Sequence, residues 1–154
     1  MIFATVGSSS TPFDRLVKAV DKLASQISEK VMIQKGVSQF KTETAQSFDF
    51  CSPGTMAQWI TGANIVISHA GFGIIAECIR MNKRLVLIPR EHRFGDAEGN
   101  QVELAEYLAE KTRGITCVRN VENLQKAVNQ IQGINPHYQF TNNIPGMIQK
   151  FLET

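Results

Sequence analysis

The sequence predicts an α/β fold in which a Rossmann-like parallel sheet carries helices on both faces. Strand-like and helix-like segments alternate along the chain, the order that builds a parallel sheet covered by helices. Two strand segments, Ile65-Val66-Ile67 and Leu85-Val86-Leu87-Ile88, are apolar throughout, as a strand buried on both faces must be. The 154 residues fit one domain, 1–154, and no linker, repeat or low-complexity tract divides them.

Each element has its own signal. Met1 to Val6 reads as the first strand. It is too short, and lacks the basic start, to be a signal peptide. Thr11 is the expected N-cap of the next helix, with Pro12 at its first position. Phe13, Leu16, Val17, Val20, Leu23, Ala24 and Ile27 then recur at helical spacing and mark a buried face. Val31 to Gln34 is a second strand, 36–44 a polar loop, and Ser47 to Phe50 an edge strand. Pro53 opens a short helix with Met56, Trp59 and Ile60, closed by Gly62. Helices follow at Phe72–Asn82, Asn100–Lys111 and about Val121–Ile131, with a last strand at Ile115–Val118. Gly133 and Pro136 break the chain, and Ile144, Met147, Ile148, Phe151 and Leu152 form an apolar stripe on a final helix. That stripe lacks flanking basic residues and reads as core or subunit interface rather than membrane helix.

Composition narrows the function. A formal net charge of +2 is too small to argue for nucleic acid. No apolar run is long enough to span a bilayer. Cys51, Cys78 and Cys117 are scattered among apolar neighbours and read as buried free thiols of a reducing cytoplasm. His69, His92 and His137 have no metal-ligand spacing, so no metal or cofactor is expected.

In an open parallel sheet, ligands bind beyond the carboxyl ends of the strands. Three loops therefore matter. The first, Gly7-Ser8-Ser9-Ser10-Thr11, is small enough to let backbone approach an anion, or is a plain flexible turn. The second, Ser68-His69-Ala70-Gly71-Phe72-Gly73, joins a buried strand to a helix, where free amides and the helix dipole suit a diphosphate. Glu77, in the early turns of that helix, can accept from a ribose diol or stand as a solvated dipole partner. His69 is either a satisfied strand-end histidine or a nucleotide contact. The third loop runs from Pro89 to Gly99 and ends at Asn100-Gln101, whose amides suit sugar hydroxyls, Asn100 being equally an N-cap. Arg90 faces a phosphate or is solvated. A rival motif is Gly71-x-Gly73-x-x-Ala76, which fits a dinucleotide fingerprint with Glu91 as the ribose acid.

Thr5-Val6-Gly7, Phe13-Asp14-Arg15-Leu16-Val17, Ser68-His69-Ala70-Gly71-Phe72-Gly73 with Glu77, Pro89-Arg90, and Asn100-Gln101-x-Glu103-Leu104-Ala105 occur in one order. That order resembles the carboxyl-terminal domain of glycosyltransferases related to the lipid-II N-acetylglucosaminyltransferase. It is closest to the branch in which the donor half is a separate short chain, found in dolichol-linked oligosaccharide synthesis and in bacterial capsule and exopolysaccharide clusters. The resemblance implies the C-terminal half of the glycosyltransferase B fold and a UDP-sugar donor. It implies Gly71 to Gly73 at the diphosphate, Glu77 at the ribose, Asn100 and Gln101 at the sugar, and Gly7 to Ser9 lining the cleft. It also implies a membrane-anchored partner subunit that brings the lipid-linked acceptor and the base, and so recruits this chain to the inner face of the membrane. The family places Ser or Thr directly after the second glycine of the turn. Here the residue is Ile74, which leaves three readings: weaker donor affinity, a substitute hydroxyl such as Ser68 or Ser8, or a chain that has lost donor binding and serves as a scaffold.

Overall fold

A computed structural model describes residues 1–96 and 99–138; the expected C-terminal helix lies outside them. Six strands form one sheet in the order 3-2-1-4-5-6, with every neighbouring pair parallel. They are β1 (Ile2–Thr5), β2 (Val31–Gln34), β3 (Gln46–Phe48), β4 (Ile65–Ser68), β5 (Arg84–Leu87) and β6 (Ile115–Cys117). The helices are α1 (Asp14–Gln26), α2 (Pro53–Gly62), α3 (Phe72–Arg80), α4 (Gln101–Lys111) and α5 (Leu124–Gln132).

Alternate strand residues feed two cores. Ile2, Ala4, Ile65, Ile67 and Val86 pack with Leu16, Val17 and Val20 of α1 and with Leu124, Val128 and Ile131 of α5. Phe3, Val66, Leu85 and Leu87 pack on the other face with Ile60 of α2, Ile75, Cys78 and Ile79 of α3, and Leu104, Ala105 and Leu108 of α4. Phe3, Phe48 and Trp59 stack face to face, 5.9 to 6.5 Å between centroids, and pin α2 over β1 and β3. The chain order reverses between β1 and β4, where Thr5 lies beside Ser68. That switch point is where an open sheet leaves a crevice.

Several boundaries differ from the sequence expectation. α1 begins at Asp14 with Phe13 at the N-cap position, not at Thr11-Pro12. The carbonyls of Thr11 and Pro12, which a longer helix would need, are bonded instead by the Arg90 guanidinium at 3.0 and 3.4 Å. The Thr11 amide is held by Ser9 Oγ at 3.0 Å. Strand β3 ends at Phe48, before the exposed Phe50. The loop over 36–44 is clamped by two α1 carboxylates. Asp14 accepts from the amides of Gln39 and Phe40, and Asp21 from those of Glu43, Thr44 and Ala45. Cys78 is buried as expected, but Cys51 and Cys117 are only partly covered. No helix among the described residues is long and apolar enough to cross a membrane.

Candidate functional site

The loop beyond β4 leads straight into α3. Gly71 takes the N-cap place with extended backbone and no side-chain cap, and the first helical bond runs from Ile75 N to Gly71 O at 3.2 Å. The amides of Phe72, Gly73 and Ile74 therefore have no acceptor inside the helix, and the dipole makes this end electropositive. A Cβ added at Gly73 would meet nothing within 4 Å, so the turn is open to a ligand there.

Beside this helix start lies a cavity of about 420 Å³, a size that suits a small-molecule ligand. Thr5, Gly7, Ser8 and Gln34 line it from the ends of β1 and β2. Phe50, Cys51, Pro53, Met56, Ala57 and Ile60 line it from the β3–α2 side, and Gly73, Ile74 and Glu77 from α3. The α2 wall is mostly apolar and the opposite wall polar. Glu77 is forked by its exposed neighbour Arg80, with Nη2 at 2.5 Å from Oε1 and Nε at 3.3 Å from Oε2. An exposed pair of this kind contributes little to stability. A ribose diol would compete with Arg80 for the same carboxylate oxygens.

The floor is a buried polar network. Gln34, 1% exposed, donates from Nε2 to Gly7 O at 3.2 Å and to Asp49 O at 2.8 Å. Its Oε1 accepts from Thr5 Oγ1, which in turn accepts from the Gly7 amide at 3.1 Å. Gly7 needs to be glycine twice over. Its φ is +79°, and a Cβ there would sit 2.5 Å from His69 Nε2.

His69 is wedged between the two glycine turns, since a Cβ at Gly71 would collide with its ring as well. Gln101 Nε2 lies 3.2 Å from His69 Nδ1. Gln101 Oε1 accepts from the amides of Ala70 and Arg90, each at 3.1 Å. Burial and the nearby charge of Arg90 lower the His69 pKa to about 4, so the ring is neutral. Nδ1 is thus used within the protein, while His69 as a whole is only half-buried.

The loop beyond β5 overturns one expectation. Arg90 neither faces a phosphate nor is solvated. It is 2% exposed. Its Nη1 donates to the carbonyls of Thr11, Pro12 and Asp96, its Nη2 donates to Val6 O at 3.2 Å, and its guanidinium stacks 4.6 Å from the Phe13 centroid. Asp96 completes the latch by accepting from the Glu91 amide at 2.7 Å and from Arg15 Nε at 3.0 Å. Glu91 is also unfit to hold a ribose. Burial raises its pKa, but hydrogen bonds from Arg119 and Arg93 outweigh this and keep the carboxylate ionised and occupied. The dinucleotide reading thereby loses its acid.

The remaining predicted residues divide. Gly7, Ser8, Gly73 and Glu77 meet at the cavity, and Phe72 is exposed at the helix start. Ser9 Oγ is used within its own turn. Ser68 is fully buried, with no partner for its Oγ among the described residues. Of these serines, Ser8 is the one that lines the cavity, as Ile74 does. The Ala70 amide is spent on Gln101, which narrows the candidate anion cradle to Gly71 through Ile74. Asn100 is the cap of α4. Its Oδ1 accepts from Glu103 N at 3.4 Å and its Nδ2 donates to Glu103 Oε2 at 3.0 Å. Gln101 bonds protein groups instead of standing free for a sugar. The loops after β1, β4 and β5 carry no signal of the α2 wall. The rule that singled those out applies equally to the loop after β3. Among the described residues no group of His, Cys, Asp and Glu side chains could hold a metal ion.

Comparison with known proteins bears on the family and the fold. A UDP-N-acetylglucosamine transferase subunit, ALG13, of Candida albicans is 25% identical over 120 residues, covering 77% of this chain and 39% of that protein. The chain thus spans well under half of this relative. The NMR solution structure of ALG13 superposes with a TM-score of 0.64 at 18% identity, covering 99% of this chain and 95% of that one. Acinetobacter baumannii MurG gives 0.58 at 19% identity, covering 85% of this chain and 41% of that one. These structures share the fold. The glycosyltransferase family 28 C-terminal domain model matches residues 1–148, and the chain belongs to that family.

Proposed function

We propose that this chain is the donor-binding subunit of a two-part glycosyltransferase. The cavity takes a UDP-sugar: Glu77 holds the ribose, the amides of Gly71 to Ile74 receive the diphosphate, and the α2 wall covers the base. The observation that carries this reading is the shared wall, with an uncapped helix start and a carboxylate one turn later lining one cavity at the switch point. The family match and the transferase-subunit relative support it.

In transfer, the bond from the sugar's anomeric carbon to the diphosphate oxygen breaks as an acceptor hydroxyl bonds that carbon. The helix-start amides stabilise the charge that develops on the leaving diphosphate. Among the described residues, the ionisable side chains lining the cavity are Cys51 and Glu77; Glu77 is assigned to the ribose, and in this reading the base is supplied by the other subunit. The acceptor's proton therefore goes to a base on the partner. That partner is a membrane-anchored subunit carrying a lipid-linked acceptor, the sugar is a hexose or N-acetylhexosamine, and the setting is bacterial surface polysaccharide synthesis in the cytoplasm. Catalysis requires the complex, so transfer by the purified chain alone would contradict this reading.

Calorimetry with UDP tests the site. Glu77→Ala should weaken binding by about tenfold or more, the loss of one or two hydrogen bonds to a charged acceptor. Unchanged affinity removes Glu77 from the site. A second reading, an interaction subunit without a donor, draws on Ile74, which brings an apolar side chain where relatives of the family carry a hydroxyl. Absence of any saturation-transfer NMR signal from UDP-sugars would favour it.

A further inference from the structure

Gln101 is the first residue of α4, and its side chain reaches back to two other loops. Oε1 collects the Ala70 amide from the loop beyond β4 and the Arg90 amide from the loop beyond β5. Two amide donors on one oxygen fix which end of the side chain is which. The other end, Nε2, can only donate, so His69 Nδ1 must accept and the ring proton must sit on Nε2. The Arg90 guanidinium, bonded to the Val6 carbonyl, adds a charge that disfavours a protonated ring. The ring so oriented fills the space between Gly7 and Gly71.

We propose that Gln101 is a positioning residue for donor binding. It fixes His69 as one neutral tautomer, and that ring sets the Gly7 turn and the Gly71 turn at a fixed separation beside the cavity. The proposal rests on the donor-cavity reading, and it gives Gln101 a role other than contact with the donor sugar. A direct contact would affect the sugar alone. Positioning acts on the nucleotide as well, because both glycine turns border the cavity or its anion cradle.

The test compares the full chain with Gln101→Glu and Gln101→Leu. Nitrogen-15 spectra of the histidine rings, assigned with His69→Asn, report the tautomer. Amide shifts of Gly7 and Gly71 report the turns, and calorimetry reports affinity for UDP and for UDP-N-acetylglucosamine. In the wild type, Nδ1 should be bare and Nε2 protonated. Glutamate still accepts both amides but cannot donate to Nδ1. Gln101→Glu should therefore put a proton on Nδ1, move both glycine signals, and weaken UDP and the UDP-sugar equally, by about tenfold. Leucine should cost at least as much; if it fails to fold, the glutamate variant still decides. A wild-type proton on Nδ1 overturns the proposal. So does a loss confined to UDP-N-acetylglucosamine, or a Gln101→Glu proton shift that leaves the glycine signals and UDP affinity unchanged. If the wild type binds no UDP, the donor reading fails by itself, and the ring and glycine signals still judge the placement.

Discussion

The turn beyond β4 and the loop beyond β5 leave neighbouring strands at the same sheet edge, yet they are built oppositely. The β4 turn is short and glycine-rich, and it enters α3 without a side-chain cap, so its helix amides face outward. The β5 loop is rich in charge and consumes it internally. Arg90 holds carbonyls from the β1 loop and from Asp96, Asp96 holds Arg15, and Glu91 holds Arg93 and Arg119. Charge in a loop therefore does not mark a ligand site by itself. The unsatisfied backbone of the plainer turn is the better candidate, because nothing among the described residues claims its helix-start amides.

Removing the latch should produce the largest effect. Arg90→Met leaves the carbonyls of Val6, Thr11, Pro12 and Asp96 without their buried donor. Each buried carbonyl left without a donor costs about 1–3 kcal/mol, read as a lowered urea midpoint. If stability held and only UDP affinity fell, Arg90 would be a ligand residue and the contrast between the two loops would break.

This contrast explains what the sequence could and could not disclose. Parallel order, strand positions and the open turn follow from local patterns: apolar runs, alternation, and glycines between a strand and a helix. Glu77 and Gly73 were legible because helix spacing alone puts them near one another. Arg90, Glu91, Asn100 and Gln101 were not, since whether a polar side chain faces solvent or protein depends on groups far away in sequence. Arg90 meets its carbonyls from residues up to 84 positions distant. The late start of α1 has the same origin: Thr11 and Pro12 satisfy local rules for a helix start, but Arg90 takes their carbonyls.

His69 stands between the two regions and should betray itself in acid. Its folded pKa is lowered from 6.5 to about 4, by burial first and by Arg90 second. Stability is therefore fully present above about pH 6.5, and it falls as the unfolded chain gains a proton that the folded ring refuses. At about 1.4 kcal/mol per unit, the loss reaches about 3 kcal/mol by pH 4. Asp21, Glu29 and Glu91 are also held low, and their contribution begins to fall from about pH 5.5 downward, as the unfolded carboxyls start to protonate. Urea midpoints between about pH 7 and pH 5.5 therefore report mainly on His69. A flat profile, or an equal slope in His69→Gln, would mean that the ring protonates freely and does not lock the turns.

The smallest effect is the sharpest probe of openness. Gly7 and Gly73 both flank the cavity, but only Gly7 is confined. Gly7→Ala meets His69 and a positive φ, and should cost about 2 kcal/mol. Gly73→Ala meets nothing and lies in the first turn of α3, where replacing glycine by alanine should raise stability by about 0.5–1 kcal/mol. The same methyl group would stand where a diphosphate must approach the amides of Phe72, Gly73 and Ile74. Gly73→Ala should therefore be more stable and bind UDP more weakly, two changes of opposite sign from a single carbon. Equal or tighter UDP binding would show that the anion does not lie against this turn.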